Sequence, residues 1–329
     1  MKRTLLIILF GFLLVMAKPA SAPSPGPWGF WAHQRINQMA LYTLPEELFA
    51  FYKPYIDYIT EHAVDPDKRR YSIAAEAPRH YIDLDHYGSY PFPEVPHKWK
   101  DAVVRYSEDT LNSYGIVPWY IELMMFRLTD AFKAKDANKI LRTTAEIGHY
   151  ISDAHVPLHC TENYNGQMTN QVGIHGFWES RVPELLGENY DYFAGKAEFI
   201  PDINKRIWEI VFDSHSMVDS VLNFEKQLNE EFPTDRKYSY ETRGASTVRV
   251  YSKEYTEKYN SMLNNMVERR MRQNIVDLGC FWLTAWVNAG KPNLTGIVLK
   301  PLSAEEIKEM EELNSDYSKG EYKGKFKEE

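Results

Sequence analysis

The feature that most constrains this chain is a set of long stretches whose apolar residues recur every three to four positions. Across residues 251–288 the stripe runs Tyr255, Tyr259, Met262, Met266, Ile275, Leu278, Trp282 and Trp286, the spacing of a helix with one buried face. Gly290 and Pro292 then supply a stop signal. Residues 203–232 repeat the pattern through Ile203, Ile207, Val211, Val218, Leu222 and Leu228. Residues 120–135 do so through Leu123, Met124, Leu128, Ala131 and Phe132. Shorter helices are expected over 32–51 and 140–154. Sustained strand alternation is scarce, and proline and glycine gather in joints such as 90–96. The expected fold is all-α: a single-domain helical bundle over residues 28–301, on ordinary domain sizes. A charged tail, 302–329, follows, with a short acidic helix and a Lys/Glu/Gly-rich end. Methionine and aromatic stripes on these helices read as core.

Composition narrows the class further. At 329 residues, 44% hydrophobic and 26% charged, the chain is neither disordered nor collagen-like. Two cysteines, Cys160 and Cys280, are too few for a disulfide framework or a thiolate zinc module. Whether they pair is left open by the sequence. A net charge of −8 argues against a broad basic surface for gripping duplex nucleic acid.

The start of the chain carries an address. Lys2 and Arg3 precede an apolar run over residues 5–16, and Ala20, Ser21 and Ala22 offer small residues for cleavage, which reads as a secretory signal peptide over 1–22. The run is short for a membrane span. Pro23 directly after Ala22 makes a cut after Ala17 the second candidate. Residues 23–27 form a short Pro-rich pro-segment or linker. Removing residues 1–22 takes away Lys2, Arg3 and Lys18 and no acidic residue, moving the net charge from −8 to −11. The expected product is exported, secreted or periplasmic, and acidic.

The chemistry is concentrated in one segment. Residues 148–159 read GHYISDAHVPLH, and IHGFWES follows after a polar loop. His149 and Asp153 stand four apart on an expected helix, so their side chains share a face. Pro157 should end that helix and leave His159 on the turn beyond. His175 and Glu179 repeat the four-residue spacing. Imidazole nitrogen with carboxylate oxygen, and no thiolate, is the ligand set of a hydrolytic zinc site. Packing explains such a group poorly, because buried unpaired carboxylates and imidazoles are costly.

HYISDAHVPLH followed by GIHGFWE resembles the metal-binding signature of the zinc-dependent phospholipase C family, which the single-strand-specific secreted nucleases of fungi and plants share. WGFWAH, with Trp28 and His33, and the pair Asp65 in AVDPDKRR and His80 in RHYID are similar to the rest of that pattern. The resemblance covers residues 28–179 in ordered motifs. It implies an all-helical domain with a trinuclear zinc cleft. Asp65, His80, His149 and Asp153 would hold one zinc, and His159, His175 and Glu179 a second. Trp28, through its backbone, and His33 would hold a third that Asp153 bridges to the first. Asp65 would also orient or deprotonate the attacking water. Chelation by the Trp28 amine requires cleavage between Pro27 and Trp28, without which the third metal lacks its amine ligand; the other reading of Trp28 is a core aromatic.

The reaction so implied is phosphodiester hydrolysis by zinc-activated water. Glu179 as last ligand, where the nucleases tend to use aspartate, and the short 161–173 loop lean toward a phospholipase C-like enzyme. Its partners would be a phospholipid or other phosphodiester, with transient contact to a membrane surface and no stable protein partner. The first alternative is a single-strand-specific nuclease or 3′-nucleotidase acting on single-stranded nucleic acid. The second is an inactive, zinc-stabilised secreted binding protein. Asp83, Asp85, His86 and His155 read as hydrogen-bonding support for the site. His62, His97 and His215 read as ordinary surface or core residues. The runs at 67–70 and 268–272 read as solvated faces.

Overall fold

The computed structural model describes residues 29–243 and 246–320. The expected signal peptide, the pro-segment, Trp28 and the last nine residues lie outside the described residues. Helix accounts for 66% of the described residues, as the apolar periodicity requires, and the described sheet has two strands.

The N-terminal half opens with α1 (Phe30–Leu41) and α2 (Glu46–Tyr52), which the sequence suggested as one helix. Pro45 separates them, because it lacks an amide hydrogen and holds extended backbone at the α2 N-cap. Two short helices, α3 (Ile56–Glu61) and α4 (Asp65–Arg69), lead through 3-10 turns at Ala77–His80 and Leu84–Tyr87 to α5 (Trp99–Tyr106) and α6 (Glu108–Tyr114).

The centre is the pair α7 (Val117–Ala134) and α8 (Ala137–Ala154). Lys135, in the left-handed region at φ 52°, ends α7, and the Asp136 side chain caps α8 by accepting from the Lys139 amide at 3.2 Å. α8 packs against α1, α3 and α7 and against the long helix at Met266–Asn288. Every residue from 147 to 154 is buried, so this half of α8 is enclosed all round. Buried polar side chains there need partners.

Beyond α8 come α9 (Ile174–Gly176), a π turn at Phe177–Arg181 and α10 (Val182–Leu186). The expected 203–232 helix is two, α11 (Ile203–Ser216) and α12 (Val218–Glu231), broken at Met217. An antiparallel hairpin, β1 (Tyr238–Arg243) and β2 (Ser246–Tyr251), has no counterpart in the sequence reading. It braces the π turn: Tyr251 stacks on Phe177 at 3.9 Å, and Arg181 donates to the Tyr251 carbonyl at 2.9 Å and to Glu241.

The expected 251–288 helix divides into α13 (Lys253–Met262) and α14 (Met266–Asn288). Asn264 and Asn265, at φ 50° and 54°, make the break in a conformation asparagine tolerates. The final helix, α15 (Ala304–Lys319), begins with a Ser303/Glu306 capping box and buries no residue fully. It rests on α4 and on Tyr71 through Tyr317, with rings 5.1 Å apart. Cys160 and Cys280 are both buried and form no disulfide with each other, which answers the question the sequence left open.

Candidate metal centre

α8 brings His149 and Asp153 together as their spacing requires: Nε2 of His149 lies 3.3 Å from Oδ2 of Asp153. His80, at the end of its 3-10 turn, completes a triangle. Its Nδ1 stands 2.9 Å from Asp153 Oδ2 and 3.1 Å from His149 Nε2. The three side chains are buried.

The fourth member is Asp67. Its Oδ1 lies 3.5 Å from His149 Nε2 and 3.8 Å from His80 Nδ1. Asp65, which the family resemblance put here, points elsewhere, accepting from His62 Nδ1 at 2.5 Å and from Lys68 Nζ at 3.3 Å. The reason is helical geometry. Two residues along a helix is a rotation of about 200°, so when Asp67 of α4 faces inward, Asp65 faces away. Asp65 belongs to none of the three His/carboxylate groups found among the described residues. His62, read as ordinary, is its partner.

His33 on α1 stacks its ring on His149 at 3.9 Å and places Nε2 3.5 Å from Asp153 Oδ1. Asp153 thus faces two groups at once, one oxygen to each. Trp28, the other expected partner of His33, lies outside the described residues. A second triangle is formed by His159, His175 and Glu179: Glu179 Oε2 is 3.3 Å from His159 Nε2 and 3.1 Å from His175 Nε2. His159 sits on the Pro157–Cys160 turn, beyond the end of α8 as Pro157 dictates. The π turn carries Glu179 back over His175.

Three imidazoles are aimed from behind by main-chain carbonyls. His149 Nδ1 donates to Ala63 O at 2.9 Å, His159 Nδ1 to His80 O at 2.6 Å and His175 Nδ1 to Tyr164 O at 3.0 Å. A carbonyl can only accept, so each Nδ1 carries a hydrogen, and each ring turns its Nε2 toward the carboxylates. This is how metal-binding imidazoles are held. Spacing agrees as well: atoms about 2.0–2.1 Å from a tetrahedral zinc stand about 3.3 Å apart, and the three edges of the first triangle and the two that meet at Glu179 measure 2.9–3.3 Å. Oδ2 of Asp67 is buried with no hydrogen-bond partner. The residues present therefore fit a divalent cation.

The electrostatics match. Burial presses the carboxyl of Glu179 toward neutrality, but His175 and His159 outweigh it and hold the pKa at about 2. Burial likewise opposes ionisation of Asp153 and Asp67, and the neighbouring histidines keep both below the usual range. Desolvation disfavours the imidazolium of His149, yet Asp153 and Asp67 lift its pKa to about 9, while burial and the nearby His149 push His33 down to about 3. Three buried carboxylates thus stay ionised and call for positive charge.

A pocket beside the two groups is lined by Arg70, Tyr81 and Tyr164 together with His80, His159 and His175. Residues 67–70, read as a solvated face, are largely internal: Asp67 and Arg70 are buried, and Arg69 bonds Glu146 and Tyr150. Arg270, from the second such run, is also buried, donating to His155 O at 3.0 Å and to Ser214 Oγ at 2.5 Å. The remaining histidines support the surroundings. His155 turns away from the cleft to Asp277, 3.2 Å distant, and His86 pairs with Glu162 at 3.2 Å. Asp85 anchors the 161–173 loop by accepting from the Glu162 amide at 2.7 Å. His97 stacks on Trp208 at 4.5 Å, and His215 donates to Cys160 O at 2.8 Å.

Fold and site together define a mostly helical protein with buried histidine–carboxylate groups able to hold metal ions. No family model matches the chain, and no curated protein matches it.

Proposed function

We propose that the protein is a zinc-dependent phosphodiester hydrolase, phospholipase C-like in its substrate. The observation that carries the reading is the set of Nδ1–carbonyl bonds that turn His149, His159 and His175 toward ionised carboxylates. A scaffold holding only protons has little need for three imidazoles so aimed. His80, His149, Asp153 and Asp67 would hold one ion, His159, His175 and Glu179 a second, and His33 with Asp153 would contribute to a third.

Bound zinc supplies Lewis acidity and brings the pKa of its water to near 7. The chain's own residues do the rest. Arg70 lines the pocket beside both groups, with Nη1 3.7 Å from Asp67 Oδ1, and its planar fork suits two phosphate oxygens. Asp67 takes the role that the resemblance gave Asp65, since its unpartnered Oδ2 can accept a proton or hydrogen bond within the group. Tyr81, Tyr164 and Leu158 line the approach and limit water there.

The lipid substrate is favoured over nucleic acid by the Glu179 ligand and the short loop before His175. A side-by-side assay of purified protein on phosphatidylcholine and single-stranded DNA, with zinc and with chelator, tests it. Chelator-sensitive release of phosphocholine with intact DNA supports the lipid reading. Cleavage of DNA alone would replace it with the nuclease, and no turnover with retained zinc would leave a metal-stabilised binding protein.

A further inference from the structure

Among the histidines of the first group, His80 is held differently. Its Nδ1, not its Nε2, points to Asp67, His149 and Asp153. The opposite nitrogen, Nε2, is buried without a hydrogen-bond partner and stands 3.6 Å from Oε1 of Glu76. Glu76 is fully buried, one residue before the 3-10 turn that ends at His80.

A carboxylate in such a place must be fixed by other groups. Arg79 Nη1 bonds Oε2 at 2.5 Å, the Tyr150 hydroxyl donates to Oε1, and Arg69 Nη1 lies 3.6 Å from Oε1. Tyr150 belongs to α8, next to His149, so the same helix that carries two candidate ligands also clamps this carboxylate. The arrangement is one ion-pair cluster behind the metal group, with His80 between the two.

We propose that Glu76 is a positioning residue: its clamped carboxylate faces His80 Nε2 and so commits His80 to bind metal through Nδ1. The inference rests on the metal reading of the site. A carboxylate behind a ligating imidazole fixes the tautomer and raises its basicity more than a neutral carbonyl does, and loss of such a partner typically weakens metal binding 10–100-fold. Sequence alone gave no sign of it, because a glutamate four residues before a histidine on a turn has no helical face to share.

The test is zinc titration of native protein and Glu76→Gln against a competing chelator, with circular dichroism as a check on folding. One site is expected to weaken about 10–100-fold while the others hold. Tyr150→Phe, which keeps the carboxylate, should stay within about threefold of native. Nitrogen NMR of labelled histidine in the zinc-loaded native protein gives an arm that needs no variant: His80 should show metal at Nδ1 and hydrogen at Nε2. Unchanged zinc affinity in folded Glu76→Gln, or His80 bound through Nε2, would overturn the role of Glu76 alone. A native protein that binds no zinc would overturn the metal reading, and this inference with it.

Discussion

Gly148 sets how closely two ligand-bearing helices approach, and Gly148→Ala should show it. A Cβ built on Gly148 of α8 falls 2.2 Å from Oδ1 of Asn37 on α1, where ordinary contact begins at 3.4 Å. Asn37 cannot swing away freely: it is fully buried and donates to Ala145 O at 3.0 Å. Either that bond breaks or α1 and α8 separate by about an ångström. Overpacking of this kind costs roughly 1–3 kcal/mol; where the bond gives way as well, the donor left unpaired adds about 1–3, and alanine returns about 1 through helix propensity. The net loss is about 3 kcal/mol, read by urea denaturation of the chelated protein. Because His33 lies one turn before Asn37 and stacks on His149, the same substitution should weaken zinc binding. Asn37→Ala removes the obstruction, so the double variant should be more stable than the sum of the singles by about 1 kcal/mol or more. Strict additivity, or a Gly148→Ala protein as stable as native, would refute the reasoning.

Two further expectations follow from the same geometry. Asp67→Asn should lose one zinc and most hydrolytic activity, whereas Asp65→Asn should keep both; metal analysis after dialysis separates them, and the opposite result would restore Asp65. Asp277 accepts from Arg206 at 2.8 Å and faces His155; burial raises its pKa, but these partners outweigh it and hold it at about 2. A depressed carboxyl stabilises the fold above its unfolded pKa of about 3.9, and the benefit is lost as pH falls toward 2. The stability gap between native and Asp277→Asn, followed by denaturant titration, should therefore shrink from pH 4 to pH 2. A constant gap would show that the ion pair contributes nothing.

Much of this architecture was legible in the sequence because it depends on periodicity. The stripes over 120–135 and 140–154 became α7 and α8, and the four-residue spacings of His149 with Asp153 and His175 with Glu179 became direct contacts. Helix breaks were harder: Met217 interrupts the 203–232 stripe without proline or glycine, so only tertiary packing marks it. The hairpin has six-residue strands that are only partly covered, so the brief alternation of Tyr238 with Tyr240 and of Val248 with Val250 is too short to stand out as a sustained strand signal. Asp65 and Asp67 both sit in α4, and choosing between them needs the rotation of a five-residue helix, which no periodicity can fix. Arg70 and Arg270 looked solvated because charge alone does not reveal a buried partner.

The central claim is that the buried histidines and carboxylates form a zinc centre. Elemental analysis of purified protein, equilibrated with buffered free zinc and then freed of excess, tests it most directly. At least two zinc ions per chain are expected, three if the His33 group is complete, with one lost in Asp67→Asn. A native protein that retains no zinc, or an Asp67→Asn protein that retains all of it, would contradict the account.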